Sequence, residues 1–576
     1  MKKLVLLIVS ACLALAAQAQ KAPKWMDKSK KAVLRVTTFD KDNRRINSTG
    51  GFFVSETGEA LSAYSLFRGA ARASVTDTDG NTYPVSYIIG ADDLYDVIRF
   101  KVSIPGKKVP FLPLATGPVP VDAPVFLLLG TDTKEVAFKQ GTVTEVSKLK
   151  DPYSYYKLSI PLESGQANAP LLLANGEVFA LAQEDASGRK EHSYGVSASY
   201  VSALKQTATD IFNTVYTRIG IRKAWPEEAG QASVSLFLQA GSQDAKTYLE
   251  TLNDFIATFP QAADGYMSRA SHYAAKRSEL AEDAAGRQTF LNLAMADMQT
   301  AARLSPNKGE VYYNQAKMIF AVATGDSSLT DSNWQVGAAL AALQKAIGEG
   351  AQPAYHELEG HIYFSLEEYA AAYEAYMRVN ENPSAASADS YYLAAKSLEN
   401  IPGAQISDLI ALLDSALARM GLPLPREAAP YVLERVEYKN QLALYPEAVE
   451  DYNLYYALVG GEVNDSFYFY REQAKFRAGD NEGALLDIRE AIARNPQVAD
   501  YHAEEAAVLV RMQHYEEALA GVQKALDLAP DFAACYRIRG VCFIRNGKKA
   551  EACEAFGKAR ELGDPIVARL IREHCP

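Results

Sequence analysis

Few residues of this chain have the type and spacing that hydrolytic or metal chemistry requires. The stretch HELEGH contains His356 and His361, which stand five positions apart and therefore ~140° apart around a helix. Two histidines that share a metal from one helix face stand four positions apart. Both are therefore predicted to be ordinary helix residues, and neither a metal nor a cofactor is expected. The first histidine along the chain is His192, just ahead of a predicted strand.

A second stretch of interest is SGQANAPLLLANGEVFALA, residues 164–182, in which a turn and a proline lead into an apolar strand. Three other segments accompany it: STGGFFVSETGEALSAYSLFRGA (48–70), YDVIRFKV (95–102) and YGVSASYVSAL (194–204). In this order, over about residues 28–205, they resemble the HtrA-like serine proteases of the trypsin fold. The resemblance implies an all-β, trypsin-like double β-barrel.

The resemblance also implies which positions would carry a catalytic triad. That chemistry needs a nucleophilic hydroxyl, an imidazole that takes its proton, and a carboxylate that orients the imidazole. The histidine position holds Ser65, the aspartate position holds Asp96, and the serine position holds Ala167. Asn168 and Ala169 replace the two glycines that follow the nucleophile in the family, so the oxyanion loop also departs from its pattern. No triad is intact, and the domain is predicted to be catalytically dead.

The alternative is an active trypsin-like endopeptidase with a non-standard nucleophile and a helical region that recruits its substrate. It would need a relocated hydroxyl, such as that of Ser164, and a relocated base. His192 is the only histidine of this domain, and it does not lie on the strand that supplies the base in the family.

Short strands must hold these residues in place. Between residues 30 and 200 the sequence alternates apolar and polar residues between Gly, Asp and Asn turns, which predicts an all-β domain. From about residue 230 the spacing becomes helical, with a period of 34 residues that separates Pro496 from Pro530. Each period repeats a small, a large and a small residue, as in Ala484/Ile488/Ala491, Ala518/Val522/Ala525 and Ala552/Phe556/Ala559.

This period and pattern resemble the tetratricopeptide repeat, with about eight or nine repeats between residues 230 and 576. The resemblance implies an all-α superhelix whose concave face binds peptides or protein segments. The chain is thus predicted to be multidomain. Residues 1–19 form a signal peptide, 20–205 the trypsin-like domain, 206–229 a helical linker and 230–576 the repeat domain.

The start of the chain, MKKLVLLIVSACLALAAQAQ, combines a basic beginning, an apolar run and a small-residue cleavage site. This pattern predicts export to the periplasm or surface of a Gram-negative bacterium, or secretion from it. The alternative is a lipoprotein anchored through Cys12, because VSAC (9–12) fits a lipoprotein cleavage pattern. No later segment holds the ~18 uninterrupted apolar residues that a membrane span requires.

The formal net charge of −11 argues against nucleic acid as a partner, because a polyanion needs a basic face. The expected partners are proteins or peptides, bound by the concave face of the repeats and by the groove of the barrel domain.

The cysteines that would remain after signal cleavage are Cys535, Cys542, Cys553 and Cys575. They could form local disulfides, or they could pack as small apolar residues between helices. Cys542 and Cys553 stand almost equally far from the turn near Gly547. A disulfide between these two cysteines is therefore predicted to staple the last helix pair.

Overall fold

A computed structural model of the chain describes residues 22–104, 106, 108–130 and 136–575. The predicted signal peptide and Cys12 lie outside the described residues. The chain divides into two compact units, Met1–Leu304 and Ser305–Pro576. No helix of the described part has the length and apolar character needed to cross a membrane.

The first unit opens with a short helix and a closed six-stranded barrel, in the order β1-β2-β3-β6-β5-β4. Alternation builds it: in β1 the side chain of Val36 is buried, whereas that of Arg35 is exposed. Closure pairs every strand on both sides, so no strand edge remains open. The elements are α1 (Met26–Ser29), β1 (Val33–Phe39), β2 (Arg45–Phe53), β3 (Glu59–Ser62), β4 (Arg72–Thr76), β5 (Thr82–Asp92) and β6 (Val97–Val102).

A second closed barrel follows, in the order β10-β11-β12-β9-β8-β7. Its core is apolar and includes Leu127, Leu158 and Leu171, which are fully buried. The strands are β7 (Pro124–Leu129), β8 (Ala137–Lys150), β9 (Tyr153–Leu158), β10 (Pro170–Leu172), β11 (Val178–Gln183) and β12 (Ser193–Ser197). The predicted double barrel is confirmed.

After β12 the chain forms α2 (Ala198–Ala203) and returns to the first barrel. The predicted linker, 206–229, contains one short 3-10 turn and the four-residue helix α3 (Thr214–Thr217). Its later part bonds to the barrel: the amide of Gly220 donates to the carbonyl of Ala70 at 2.7 Å. Arg222 and Ala224 exchange backbone hydrogen bonds with Ile88 in β5, at 2.8 and 2.7 Å, in a parallel arrangement.

The rest of the chain is helical, as predicted. The helices of the first unit are α4 (Ala229–Gln239), α5 (Ala245–Thr258), α6 (Ala263–Leu280) and α7 (Ala284–Leu304). In the second unit they are α8 (Lys308–Gly325), α9 (Val336–Glu349), α10 (Pro353–Ser365), α11 (Tyr369–Asn380), α12 (Ala388–Glu399), α13 (Ile406–Arg419), α14 (Ala429–Gln441), α15 (Tyr445–Leu458), α16 (Asp465–Ala478), α17 (Asn481–Arg494), α18 (Ala499–Arg511), α19 (Tyr515–Leu528), α20 (Ala533–Arg545), α21 (Lys549–Glu561) and α22 (Val567–His574).

Small residues let consecutive helices of the second unit approach each other. A Cβ added to Gly360 in α10 would lie 2.6 Å from the ring of Tyr376 in α11. Gly540 in α20 faces the ring of Phe556 in α21 in the same way. The small and large residues that repeat along the sequence are therefore contact partners between paired helices.

Buried ion pairs recur between paired helices. In one pair, Nε and Nη2 of Arg471 donate to the two carboxylate oxygens of Asp487, each at 2.7 Å. Nζ of Lys475 lies 2.8 Å from the same carboxylate. Arg435 and Asp451 form the same bidentate pair between α14 and α15, at 2.8 and 2.6 Å.

Glu472 departs from this pattern. Its side chain is fully buried in α16, and within the described structure neither carboxylate oxygen has a hydrogen-bond partner. Burial raises the pKa of Glu472 to about 8, and the negative charges of Glu504 and Asp487 add to the effect. Ala506 and Gly540 stand one and two intervals of 34 residues after it, so Glu472 occupies a position that is small in the next two periods.

The predicted disulfide between Cys542 and Cys553 is wrong. Cys553 is bonded to Cys575, with a Cα–Cα distance of 5.7 Å, and Cys535 and Cys542 are free and buried. Cys542 packs in the core shared with α18 and α19, whereas the Cys553–Cys575 bond ties α21 to the end of α22. Equal distance from a turn sets the height of two residues on antiparallel helices, but not the direction in which each side chain points.

Candidate active site

Ser65 stands where a strand of the first barrel ends. After β3 the chain makes a 3-10 turn over Ser65–Phe67. Leu66 and Phe67 are buried, and the hydroxyl of Thr38 in β1 donates to the carbonyl of Leu66 at 2.9 Å. These contacts fix the turn on the barrel and leave the side chain of Ser65 exposed.

Asp96 ends the turn between β5 and β6, with a φ of 50° in the left-handed region that aspartate tolerates. Its Oδ2 accepts the hydroxyl of Ser65 at 2.8 Å, and its Oδ1 accepts the Ser65 amide at 2.5 Å. The structure thus brings two of the three predicted positions into direct contact. A triad carboxylate orients its histidine by the same kind of hydrogen bond.

A polar network holds this turn from the second barrel. Asp92 accepts hydrogen bonds from the hydroxyl of Tyr200 at 2.5 Å and from Nζ of Lys150 at 3.0 Å. Burial alone would raise the pKa of Asp92, but these two bonds outweigh burial and hold its pKa below the ordinary value. Hydrogen bonds to Tyr200 and Asp92 likewise raise the pKa of Lys150.

A second contact reaches the same turn from β11, where the side-chain amide of Gln183 donates to the carbonyl of Tyr95 at 2.6 Å. Both barrels therefore position Asp96.

Ala167 lies on the loop before β10. Its neighbour Asn168 is buried, with a φ of 64°, and the Asn168 amide donates to the carbonyl of Ala182 in β11 at 2.8 Å. The Asn168 side chain reaches the first barrel and donates to the hydroxyl of Thr49 at 3.3 Å. A Cβ added to Gly50 would lie 3.3 Å from the carbonyl oxygen of Ala167. The loop is thus held against β2 as well as β11.

The link between the two parts of the site runs through β2 and β3. The carbonyl of Gly50 accepts the hydroxyl of Ser62 at 2.7 Å, and Ser62 is the last residue of β3, shortly before Ser65. Beside Gly50 and Ala167 lies a cleft of about 500 Å³, here called the barrel cleft. It is lined by β1, β2, the turn 76–78, residues 129–130 and the loop 165–169. Ser65 and Asp96 are not among the described residues that line it.

The chemistry of these side chains is limited. The methyl group of Ala167 has no atom that could attack a carbonyl. The hydroxyl of Ser65 donates a hydrogen bond to Asp96 and, unlike an imidazole, does not take up a proton near neutral pH. What the site keeps is the hydrogen-bonded carboxylate and the surrounding backbone.

The other residues considered from sequence lie elsewhere. Ser164 is exposed on the loop before Ala167, and His192 directly precedes β12 of the second barrel. Nδ1 of His192 is buried and, within the described structure, has no hydrogen-bond partner. In α10, Nδ1 of His356 lies 2.9 Å from the Glu359 carboxylate, and Nδ1 of His361 lies 2.9 Å from the hydroxyl of Tyr376.

Sequence reasoning missed the residues that support the site. Asp92, Lys150 and Tyr200 lie far apart along the chain, and no motif marks them. Thr49, which accepts the Asn168 side chain, could have been found from sequence, because it lies inside the Gly-rich segment that carries the resemblance.

Residues 49–181 match the family model of the trypsin-like peptidase domain. Over 105 residues the chain is 30% identical to a protein named SGT1 homolog from Oryza sativa subsp. japonica, which corresponds to 18% of this chain and 29% of that protein. Over 92 residues it is 34% identical to the Hsp70-Hsp90 organizing protein of Triticum aestivum, or 16% of each chain. The chain spans less than a third of the length of these curated relatives.

Among solved structures, the active form of the Rv3671c protease from M. tuberculosis is similar at 18% identity and a TM-score of 0.27. That match covers 32% of this chain and 88% of the protease. The family-model match and the two closed six-stranded barrels together show a trypsin-like peptidase fold, which is followed by a helical region consistent with a repeat array.

Proposed function

We propose that this protein is an exported, non-catalytic scaffold or adaptor that binds peptides or partner proteins in the cell envelope. The observation that carries the proposal is the pair of replacements at the site. The resemblance assigns Ser65 to the place of the imidazole and Ala167 to the place of the nucleophile, and the hydroxyl of Ser65 bonds to Asp96. Removal of either triad member alone would cost most of the catalytic rate.

Binding remains possible without the triad. A groove between two barrels can hold an extended chain through backbone and side-chain contacts. The helical array offers a second surface, and two linked sites that contact one partner raise its effective affinity. Similarity to a protein named Hsp70-Hsp90 organizing protein supports protein partners for the helices.

The full chain is expected to show no labelling by a serine-directed fluorophosphonate probe, because Ala167 offers no hydroxyl and the hydroxyl of Ser65 is bonded to a carboxylate rather than to an imidazole. Labelling is read by gel fluorescence, and hydrolysis by release of peptides from unfolded casein. The Ser65→Ala and Ser164→Ala variants serve as background. Labelling or hydrolysis that disappears in either variant would instead establish the alternative, an active endopeptidase with a non-standard nucleophile.

An Ala167→Phe variant is expected to weaken binding of extended peptides by about tenfold or more, because the ring would project into the barrel cleft. Fluorescence anisotropy with labelled casein peptides measures the dissociation constant. Ala174→Phe, at an exposed residue outside the described lining of the cleft, is the matched control. Equal affinity of both variants and the unmodified chain would exclude the barrel cleft as a peptide site.

A further inference from the structure

A second and larger cleft lies within the first unit, away from the triad positions. It has a volume of about 890 Å³ and is formed between residues 206–226 and the helices α4 and α5. We name it the linker cleft. Its volume falls within the range of small-molecule sites, which often lie where two parts of a fold meet.

One wall of the linker cleft is rich in apolar and aromatic side chains and is fixed on the first barrel. The backbone bonds of Gly220, Arg222 and Ala224 described above hold this segment in place. Trp225 packs edge-on against Phe255, with 5.4 Å between ring centroids, and its Nε1 donates to Asp254 at 2.8 Å. Phe212 also lines the cleft and leaves 64% of its surface exposed. An exposed aromatic ring in the lining of a cleft provides a stacking surface.

The opposite wall is polar throughout. Its described lining residues on α4, α5 and their connection all carry hydroxyl, amide or carboxylate groups. Some are already oriented by one another: Oε1 of Gln243 accepts the hydroxyl of Thr251 at 2.9 Å, and Nε2 of Gln243 donates to Gln239 at 3.3 Å. Each amide retains further donor and acceptor capacity, which a ligand could use.

The charged residues that line the linker cleft are of both signs (Asp210, Arg222, Lys223, Glu250 and Asp254), and one oppositely charged pair is compensated within it. Arg222 pairs with Asp254 at 2.6 Å. Nζ of Lys223 donates to the carbonyl of Ile219, and burial lowers the pKa of this lysine. Asp210 accepts the amide of Thr207 at 2.7 Å. Because charges of both signs line the cleft, a strongly charged ligand would gain little binding free energy from electrostatic attraction. An uncharged polar ligand can bind without the cost of desolvating a charge.

We propose that the linker cleft binds a neutral oligosaccharide. A sugar ring matches the two walls, because its C–H bonds form a flat apolar face and its hydroxyls project from the rim. The C–H face would stack on Phe212, and the hydroxyls would bond to the amide and hydroxyl side chains around Gln239 and Gln243. An extended peptide fits less well, since the described lining comes from helices and the linker and offers no open strand edge.

The test is titration calorimetry of the full chain with three named neutral probes: maltotetraose, cellotetraose and tetra-N-acetylchitotetraose. At least one probe should bind saturably in the millimolar range or below. Phe212→Ala and Gln243→Ala should each weaken that binding by about tenfold, the usual effect of losing one stacking or hydrogen-bonding contact. Both residues lie at the surface or only partly buried, so circular dichroism should show that both variants fold.

Phe237→Ala is the matched control, because this ring is 78% exposed on α4 but does not line the linker cleft. It should leave sugar binding unchanged. Failure of all three sugars to bind, or equal loss in the Phe237 and Phe212 variants, would overturn the proposal. Loss of casein-peptide binding in the Phe212 variant would assign the cleft to peptides instead. None of these outcomes depends on Ala167, so the proposed function is tested separately.

Discussion

Replacing Glu472 by alanine is expected to remove a large pH dependence from the stability of the helical array. The carboxyl has an ordinary pKa of 4.5 and a pKa of about 8 in the folded chain. Between these values the folded protein keeps a proton that the unfolded chain has lost. Stability therefore falls as pH rises from 4.5 to about 8 and is constant above that. The loss amounts to roughly 3–5 kcal/mol.

Alanine fits this position, since Ala506 and Gly540 occupy the equivalent places in α18 and α20. Urea unfolding followed by circular dichroism, at about pH 5 and about pH 9, measures the difference between variant and parent. Hydrogen exchange of α16 locates the effect. Glu554→Ala, at an exposed glutamate of α21, is the control and should change the unfolding free energy by less than about 0.5 kcal/mol. An unchanged pH slope in the Glu472 variant would refute the buried acid.

Replacing Asp487 by alanine is expected to cost about 3–5 kcal/mol, because Arg471 and Lys475 would lose their shared counter-charge in a buried site. The same denaturant experiment measures the loss, and hydrogen exchange should confine it to α16, α17 and their neighbours. An apolar triple replacement, Arg471→Met and Lys475→Met with Asp487→Leu, should recover most of the stability, since no charge of this cluster is then left unpaired.

Glu561→Ala provides the matched control for this second change. Its ion pair with Lys558 spans 3.2 Å, with side chains 66% and 49% exposed. Exposed pairs of this kind contribute about 0.2–1 kcal/mol or less. Equal losses of unfolding free energy in the Asp487 and Glu561 variants would mean that burial does not determine how much the Arg471–Asp487 pair contributes to stability.

The parts of the fold that repeat a local pattern could be predicted from sequence. Alternation in Val33–Phe39 and its counterparts predicts strands, and the spacing of Ala484, Ile488 and Ala491 predicts a paired helix. The order of four segments along the chain predicted the double barrel. It also pointed to Ser65 and Asp96, which the structure joins by two hydrogen bonds.

What sequence could not supply is the direction of each side chain and the meeting of distant segments. Cys542 and Cys553 stand at matching heights yet face different neighbours, because the phase of each helix decides their contacts. Asp92 and Tyr200 meet only after both barrels have closed. The sequence shows that Glu472 is a charged residue at a position that is small one period later. That its side chain is buried can be seen only in the structure.

The backbone bonds between Ile88 and residues 222–224 also have a mechanical consequence. This segment joins the first barrel to α4, and it runs parallel to β5. A force that pulls α4 away along the direction of this segment would act on both backbone bonds at the same time, in shear, instead of breaking them one after another. The bond from Gly220 to Ala70 adds a further anchor. A partner that pulls on that helix would transmit its force into the wall of the barrel that carries Ser65 and Asp96.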